Sequence, residues 1–229
     1  MKRSKRYREN LEKIKEAENI NIDQAIDFLK QAQSAKFDES VEVHLNLNID
    51  PKKSQQQIRS CVELPHGTGK TPKVAVFAAN KSEEKTAKSA GADVILDQNE
   101  IEKIKNKKAK LDFDIAITTP SMMPKIAKIA KILGPKGLMP NPKNSTITTD
   151  IEKTVKELKK GLANIKNDAA GNIHQTIGKL SYKKEQLIEN YKTLIENIEK
   201  SKPDKVKGKF IKKITLTSSM GPSIKIGRS

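Results

Sequence analysis

The stretch LPHGTGKTPKVAVFAA, Leu64 to Ala79, is where the chain changes character. Before it, apolar and polar residues alternate. SVEVHLNLNI places Val41, Val43, Leu45, Leu47 and Ile49 on one face and Glu42, His44, Asn46 and Asn48 on the other, and a second alternating run, Ile58, Ser60, Val62 and Leu64, follows Asp50-Pro51. Strands of period two have one covered face and one wet face, as in antiparallel or mixed sheets. After it, the short and nearly continuous apolar runs VAVFAA, DVIL and FDIAITT are separated by helical patterns. That alternation predicts a parallel, doubly wound sheet buried on both faces.

Pro65 to Thr71, PHGTGKT, also carries the Gly-Lys-Thr that closes a phosphate-binding loop. Such a loop needs a first glycine five residues before the second, so that successive N–H groups curl round a phosphate, and it must open a helix. Leu64 stands where that glycine belongs, and Pro72 and a strand follow Thr71. The stretch therefore reads as a Pro/Gly-rich joint between two domains.

Amphipathic helices precede the joint: Tyr7, Leu11 and Ile14 share a face, and Asp23 can cap a helix carrying Ile26, Leu29 and Ala32. Beyond it, Ser82 can cap and Gly91 end one helix, NEIEKIKNKK makes a lysine-rich one, and Ser121 can cap MMPKIAKIAKIL, with Pro124 in its first turn and Gly134 past its end. A helix from Ile151 to Lys160 closes at Gly161, after which the half-exposed pattern returns. LANIKND, a DAAG turn and NIHQTIGKLS read as a hairpin, Leu187, Tyr191, Leu194, Ile195 and Ile198 mark a helix, and KFIKKITLTSS supplies a final strand. The expected fold is α/β: a split α+β domain built from residues 1–66 and 160–229, with an inserted Rossmann-like parallel domain over 67–159. Two adjacent crossings of the joint would form a hinge.

The 229 residues carry a formal net charge of +17, a field that draws polyanions with strong salt dependence. Residues 160–229 hold 15 Lys and Arg against 6 Asp and Glu, 67–159 hold 18 against 11, and 1–66 hold 12 against 11. The C-terminal half of the split domain is thus the most basic part. Aromatics make up only 3% with no Trp, which argues against a broad base-stacking platform. A single cysteine, Cys61, excludes an intrachain disulfide framework and fits a reducing compartment. His44, His66 and Cys61 show no metal-ligand spacing. No apolar run reaches spanning length and no signal core follows the basic start, so a cytoplasmic protein with no membrane partner is expected. The insert lacks G-x-G-x-x-G after its first strand, where AANKSEE stands, and no catalytic constellation replaces it, so no cofactor and no enzyme activity are expected.

The segments AKFDESVEVHLNLNIDP, LPHGTGK, ILGPKGLMPNPK, GNIHQTIGKLSY and TSSMGPSIKI, in this order, resemble the bacterial large-subunit ribosomal protein family that builds the lateral L-one stalk. The resemblance covers nearly the whole chain. It implies the same split domain with a Rossmann-like insert, binding to a folded site on large-subunit ribosomal RNA, contact with exit-site tRNA, and in many bacteria repression of the protein's own operon through a similar messenger RNA site. The free chain is expected to be a monomer. By the family's pattern Lys36, Phe37 and Ser40 belong to a first RNA-contacting run, His174, Lys179 and Ser181 to a second, and Thr217, Ser219, Met220 and Gly221 to a third. Where other members often have Thr-Thr-Met-Gly, this chain has Ser218-Ser219-Met220-Gly221: at each serine the hydroxyl survives and the methyl is lost.

Each residue also has a plainer reading. Phe37 taken alone would be core, but its charged neighbours Lys36, Asp38 and Glu39 and the resemblance turn it outward. His174 alone is a polar strand residue. The loop GPKGLMPNPKNST is either a rigid turn or a secondary RNA contact through Lys136 and Lys143, and Lys103, Lys105, Lys107, Lys108 and Lys110 form a solvated helix face. Charge alone would also permit a sequence-neutral DNA-coating protein, which any duplex would displace equally.

Overall fold

The computed structural model describes residues 4–15, 20–32, 35–105, 111–142, 146–203, 206 and 208–227. The chain divides into two compact units, one made of Met1–Gly69 with Ala163–Ser229, the other of Lys70–Leu162. Before the second unit come α1 (Lys5–Lys15), α2 (Ile22–Gln31), β1 (Ser40–Leu47) and β2 (Arg59–Glu63). The second unit runs β3 (Val74–Phe77), α3 (Lys81–Ala90), β4 (Val94–Leu96), α4 (Gln98–Lys105), β5 (Ile115–Thr118), α5 (Met123–Ile126), α6 (Ala130–Leu133) and α7 (Ile151–Lys160). Then follow β6 (Leu162–Lys166), β7 (Asn172–Lys179), α8 (Lys184–Lys200), β8 (Ile211–Ser218) and β9 (Ile224–Ile226).

The first unit is built round β1. It pairs antiparallel with β7 on one side and β8 on the other, and β9 extends the sheet to the order β7-β1-β8-β9. The period-two pattern does the sorting: Val41, Val43, Leu45 and Leu47 are buried in one core with Ala25, Ile26 and Leu29 of α2 and Leu187, Leu194 and Ile198 of α8. Glu42, His44 and Asn46 stay on the opposite, half-open face.

The expected hairpin between LANIKND and NIHQTIGKLS does not form. β6 joins β2 in a separate two-stranded sheet, β7 joins β1, and the two runs meet only at the isolated bridge Asn167–Ile173. Side chains at the turn redirect the chain: Asp168 Oδ1 accepts the N–H groups of Ala170 (2.9 Å) and Asn172 (2.7 Å), and Asn167 Oδ1 accepts the N–H of Ile58 at 2.8 Å. Local bonding of this kind competes with a ladder.

In the second unit β3 is central to a parallel three-stranded sheet, order β4-β3-β5. Its two faces feed two cores. Ala75, Phe77 and Ala116 pack with Ile101, Met122, Ile126, Ile129 and Leu133, while Val74, Val76 and Ile117 pack with Ala87, Val155 and Leu158. Burial on both faces is why these strands read as continuous apolar runs. The helix starts differ from expectation. Asn21 rather than Asp23 precedes α2, with Gln24 Oε1 accepting the Asn21 N–H at 3.3 Å. Asn80 rather than Ser82 precedes α3, where Glu83 reaches back to the Ala79 N–H at 2.7 Å. Ser121 is tied to Thr119 Oγ1 at 2.9 Å and does not cap, and MMPKIAKIAKIL breaks into α5, a 3₁₀ turn and α6. The break keeps Met122, Ile126, Ile129 and Leu133 all buried. Polar side chains near a helix start compete for the cap, and sequence position alone does not decide among them.

No helix follows Thr71, and β3 begins only at Val74. The joint up to Gly67 is instead held to α8 by fully buried Asn190, which accepts the His66 N–H (3.1 Å) and donates to the carbonyls of Gly67 (3.0 Å) and Ile177 (2.7 Å). Replacing Asn190 by Leu would leave three backbone groups without their partner, at a cost of about 2–3 kcal/mol. The expected result is a melting temperature of the first unit lower by about 5–10 °C. A melting temperature within a degree of the parent's would show that this clamp carries no stability.

Candidate nucleic-acid interface

Three short segments, far apart in sequence, meet at one end of the β7-β1-β8 ladder. The residues entering β1 (36–40), those leaving β7 (179–181) and those leaving β8 (217–221) are tied to one another by hydrogen bonds. Ser219 N–H donates to Ser40 O, and Ser40 N–H donates to Ser219 Oγ, both at 3.1 Å. Ser181 donates to Asp38 through its N–H (3.2 Å) and its hydroxyl (2.8 Å), and Leu180 N–H donates to Glu39 O at 2.9 Å. The Glu39 carboxylate accepts the Ser218 hydroxyl at 2.7 Å and the Met220 N–H at 3.0 Å.

Nine of the residues singled out from the sequence lie on or beside this edge. Lys36 and Ser181 are exposed, Ser40 and Thr217 half-buried, and Ser219 exposed. Phe37 and Met220 stand out: they are 54% and 58% exposed, the large hydrophobic side chains left open among the described residues. A lone exposed apolar residue is ordinary; here both stand on segments that meet at the same edge. Lys179 is half-buried because its aliphatic stem crosses Gly69, whose φ of +77° and missing Cβ leave the room, an added Cβ lying only 2.7 Å from Lys179 Cγ. Gly221 is needed for a different reason: its own φ is ordinary, but a Cβ there would collide with the Ser218 hydroxyl. A side chain at 221 therefore acts by displacing the turn as well as by blocking a ligand.

His174 lies further along β7 and joins the edge through a bonded chain across the open face. His174 Nδ1 meets His44 Nδ1 at 2.8 Å, and His44 Nε2 meets Thr217 Oγ1 at 3.0 Å. At the other end Asp168 faces His174 Nε2 at 3.4 Å and accepts from the Asn172 side chain at 3.1 Å, which in turn accepts from Asn46 at 2.7 Å. Burial, and then the neighbouring His174 ring, push the His44 pKa below the usual imidazole value, with Glu42 opposing. A neutral His44 offers one N–H and one acceptor nitrogen, which its two contacts can use.

Lys136 is exposed but belongs to the second unit, and Lys143 lies outside the described residues, as do Lys107, Lys108 and Lys110. Glu39 is the residue misread from the sequence: beside exposed Lys36, Phe37 and Asp38 it is 1% exposed. The signal was available in the alternation. Glu39 stands two residues before Val41, on the parity of the buried face. His44 and Asp168, which hold His174 in place, were likewise absent from the candidate residues.

Hydroxyls, amides, imidazoles and lysines on a strongly basic chain can bond phosphate oxygens and 2′-hydroxyls, and exposed Phe and Met can lie against a sugar or base. Among the described residues no group of three or more His, Cys, Asp or Glu could hold a metal ion, and no helix is long and apolar enough to cross a membrane. The model of the ribosomal protein L1p/L10e family matches residues 29–222, and the chain belongs to that family, whose members are structural proteins and not enzymes. It is 49% identical over 225 residues to large ribosomal subunit protein uL1 of Thermosipho melanesiensis, covering 98% of this chain and 96% of that one. The protein of the same name in Thermosipho africanus is 50% identical over the same shares, and that of Mycoplasma capricolum 49% identical over 223 residues, 97% of each chain.

The Asp168 carboxylate is held at a pKa of about 2, first by the Asn172 N–H and further by the Asn172 side chain, the Ala170 N–H and His174. Because this pKa lies below the ordinary 3.8, its stabilising effect is complete above that value and is lost as pH falls through about 2. In acid unfolding, the stability advantage of the parent over Asp168→Asn is expected to shrink between about pH 4 and pH 2. An advantage unchanged across that range would contradict the bonding described.

Proposed function

We propose that the chain is a structural constituent of the large ribosomal subunit that grips a folded ribosomal RNA with the edge formed by residues 36–40, 179–181 and 217–221, extended by His174. Membership of the L1p/L10e family supports the class of partner. The observation that carries the surface is the convergence of three remote segments around exposed Phe37 and Met220. The finer roles belong to the same reading: contact with exit-site tRNA, and repression of the protein's own messenger RNA through a site shaped like the ribosomal one. The edge suits recognition of RNA by shape, since its fixed hydroxyls and N–H groups can address 2′-hydroxyls and phosphates in one geometry. Lys136 in the second unit is a candidate secondary contact, and the joint around Gly67–Gly69 a candidate hinge.

Selection of bound RNA from total cellular RNA tests this, and large-subunit ribosomal RNA is the expected product. Two kinds of substitution should then separate. Lys212→Gln or Lys213→Gln, both exposed on β8, should weaken binding to every RNA alike and flatten the salt slope by about 1 for each phosphate no longer neutralised. Met220→Asp should cost about 1–3 kcal/mol for the selected RNA and leave the salt slope unchanged. Equal displacement of the selected RNA by any DNA duplex would instead indicate a charge-driven polyanion binder.

A further inference from the structure

Glu39 is an anomaly in a surface that meets a polyanion. A carboxylate beneath that edge repels phosphate, and burying it is costly unless its hydrogen bonds are made in full. It is 1% exposed and is occupied by the third segment of the edge: Oε2 accepts both the Ser218 hydroxyl (2.7 Å) and the Met220 N–H (3.0 Å). Its backbone carbonyl meanwhile accepts the Leu180 N–H of the second segment (2.9 Å), and the next residue, Ser40, exchanges two bonds with Ser219. One residue of the first segment therefore touches both of the others.

The consequences are geometric. With the Ser218 hydroxyl aimed at Glu39, its oxygen occupies the place that a Cβ on Gly221 would need, which fixes the path of the turn. With the Met220 N–H turned inward to the same oxygen, the thioether side chain points away from the core and is left 58% exposed despite being apolar. An apolar side chain free to choose would fold onto the protein.

We infer that Glu39 is a positioning residue for RNA recognition: its buried carboxylate locks the Ser218–Gly221 turn in the conformation that presents Met220, and so contributes to preference for the folded RNA and not to general attraction for polyanions. The inference rests on the reading of this edge as the RNA surface. Glu39 itself touches no RNA in this arrangement. Removing its negative charge would by simple Coulomb attraction tighten binding to any RNA, so a loss confined to the folded RNA would carry the opposite sign from the electrostatic expectation.

The test is a double-mutant cycle in the full-length protein, with deproteinised large-subunit ribosomal RNA as the folded probe and poly(U) as the unstructured one. Glu39→Met keeps the length and removes both acceptor oxygens. It is expected to lose about tenfold in affinity for ribosomal RNA while binding poly(U) as well as the parent or better, with an unchanged salt slope. Met220→Ala should weaken ribosomal RNA binding in the parent but add little in the Glu39→Met background, because the side chain is no longer presented. The Met220 amide, bonded to a carboxylate in the parent, should exchange with solvent faster in the variant. Should Glu39→Met fail to fold, Glu39→Gln and Ser218→Ala each weaken the same bonds with less disruption and are read against the same two RNAs. An undiminished cost of Met220→Ala in the Glu39 variant, or a parallel loss for both RNAs, would overturn the inference. No cost of Met220→Ala in the parent would remove the edge as the RNA surface, and the role of Glu39 with it.

Discussion

The structure of the first unit depends on the pairing of β1 with strands that lie more than a hundred residues later in the chain. His44 sits opposite both His174 and Thr215, so every rung of this ladder closes a loop that includes the whole second unit. Loop-closure entropy grows only slowly with length, which makes such an insertion tolerable once the ladder forms. The ladder in turn can form only in the register that sends Val41, Val43, Leu45 and Leu47 into the core, because a slip of one residue would expose all four and bury Glu42, His44 and Asn46. The same register fixes which ends of β1, β7 and β8 come together, and hence the composition of the edge proposed to hold RNA.

The architecture was legible because two burial regimes write different patterns. Half-covered strands alternate and doubly covered strands do not, and the change between Leu64 and Val74 marks where one unit gives way to the other. What escaped reading depended on competition among equivalent local signals. Asn21, Asn80 and Met122 stand at helix starts that the sequence pattern assigns to Asp23, Ser82 and Ser121. The DAAG turn reads as a hairpin because sequence does not reveal that Asp168 and Asn167 commit their side chains to the turn and to Ile58. Glu39 reads as a solvated charge because its neighbours are solvated, although its parity with Val41 points inward. Long-range bonds of this sort, Glu39 to Ser218 or Asp38 to Ser181, leave no mark on local composition.

On the proposed reading, charge and geometry divide the labour of recognition. A net charge of +17 attracts any nucleic acid, and most of the described lysines are exposed. Discrimination requires groups whose positions are set before the partner arrives, so that binding sacrifices little entropy. The edge meets that requirement through Ser40–Ser219, Asp38–Ser181 and the chain Thr217–His44–His174–Asp168. On the proposed reading, Asp38, Glu39 and Asp168 serve to orient hydroxyls and an imidazole within a basic surface.

The central claim is that one edge of the split unit, assembled from three segments, is the principal RNA surface. Amide hydrogen exchange of the full-length protein, with and without deproteinised large-subunit ribosomal RNA, tests it most directly. The account predicts that RNA slows exchange together in residues 36–40, 179–181 and 217–221, and that poly(U) at equal occupancy does not. Protection concentrated instead in residues 70–162, with these three segments unchanged, would contradict it.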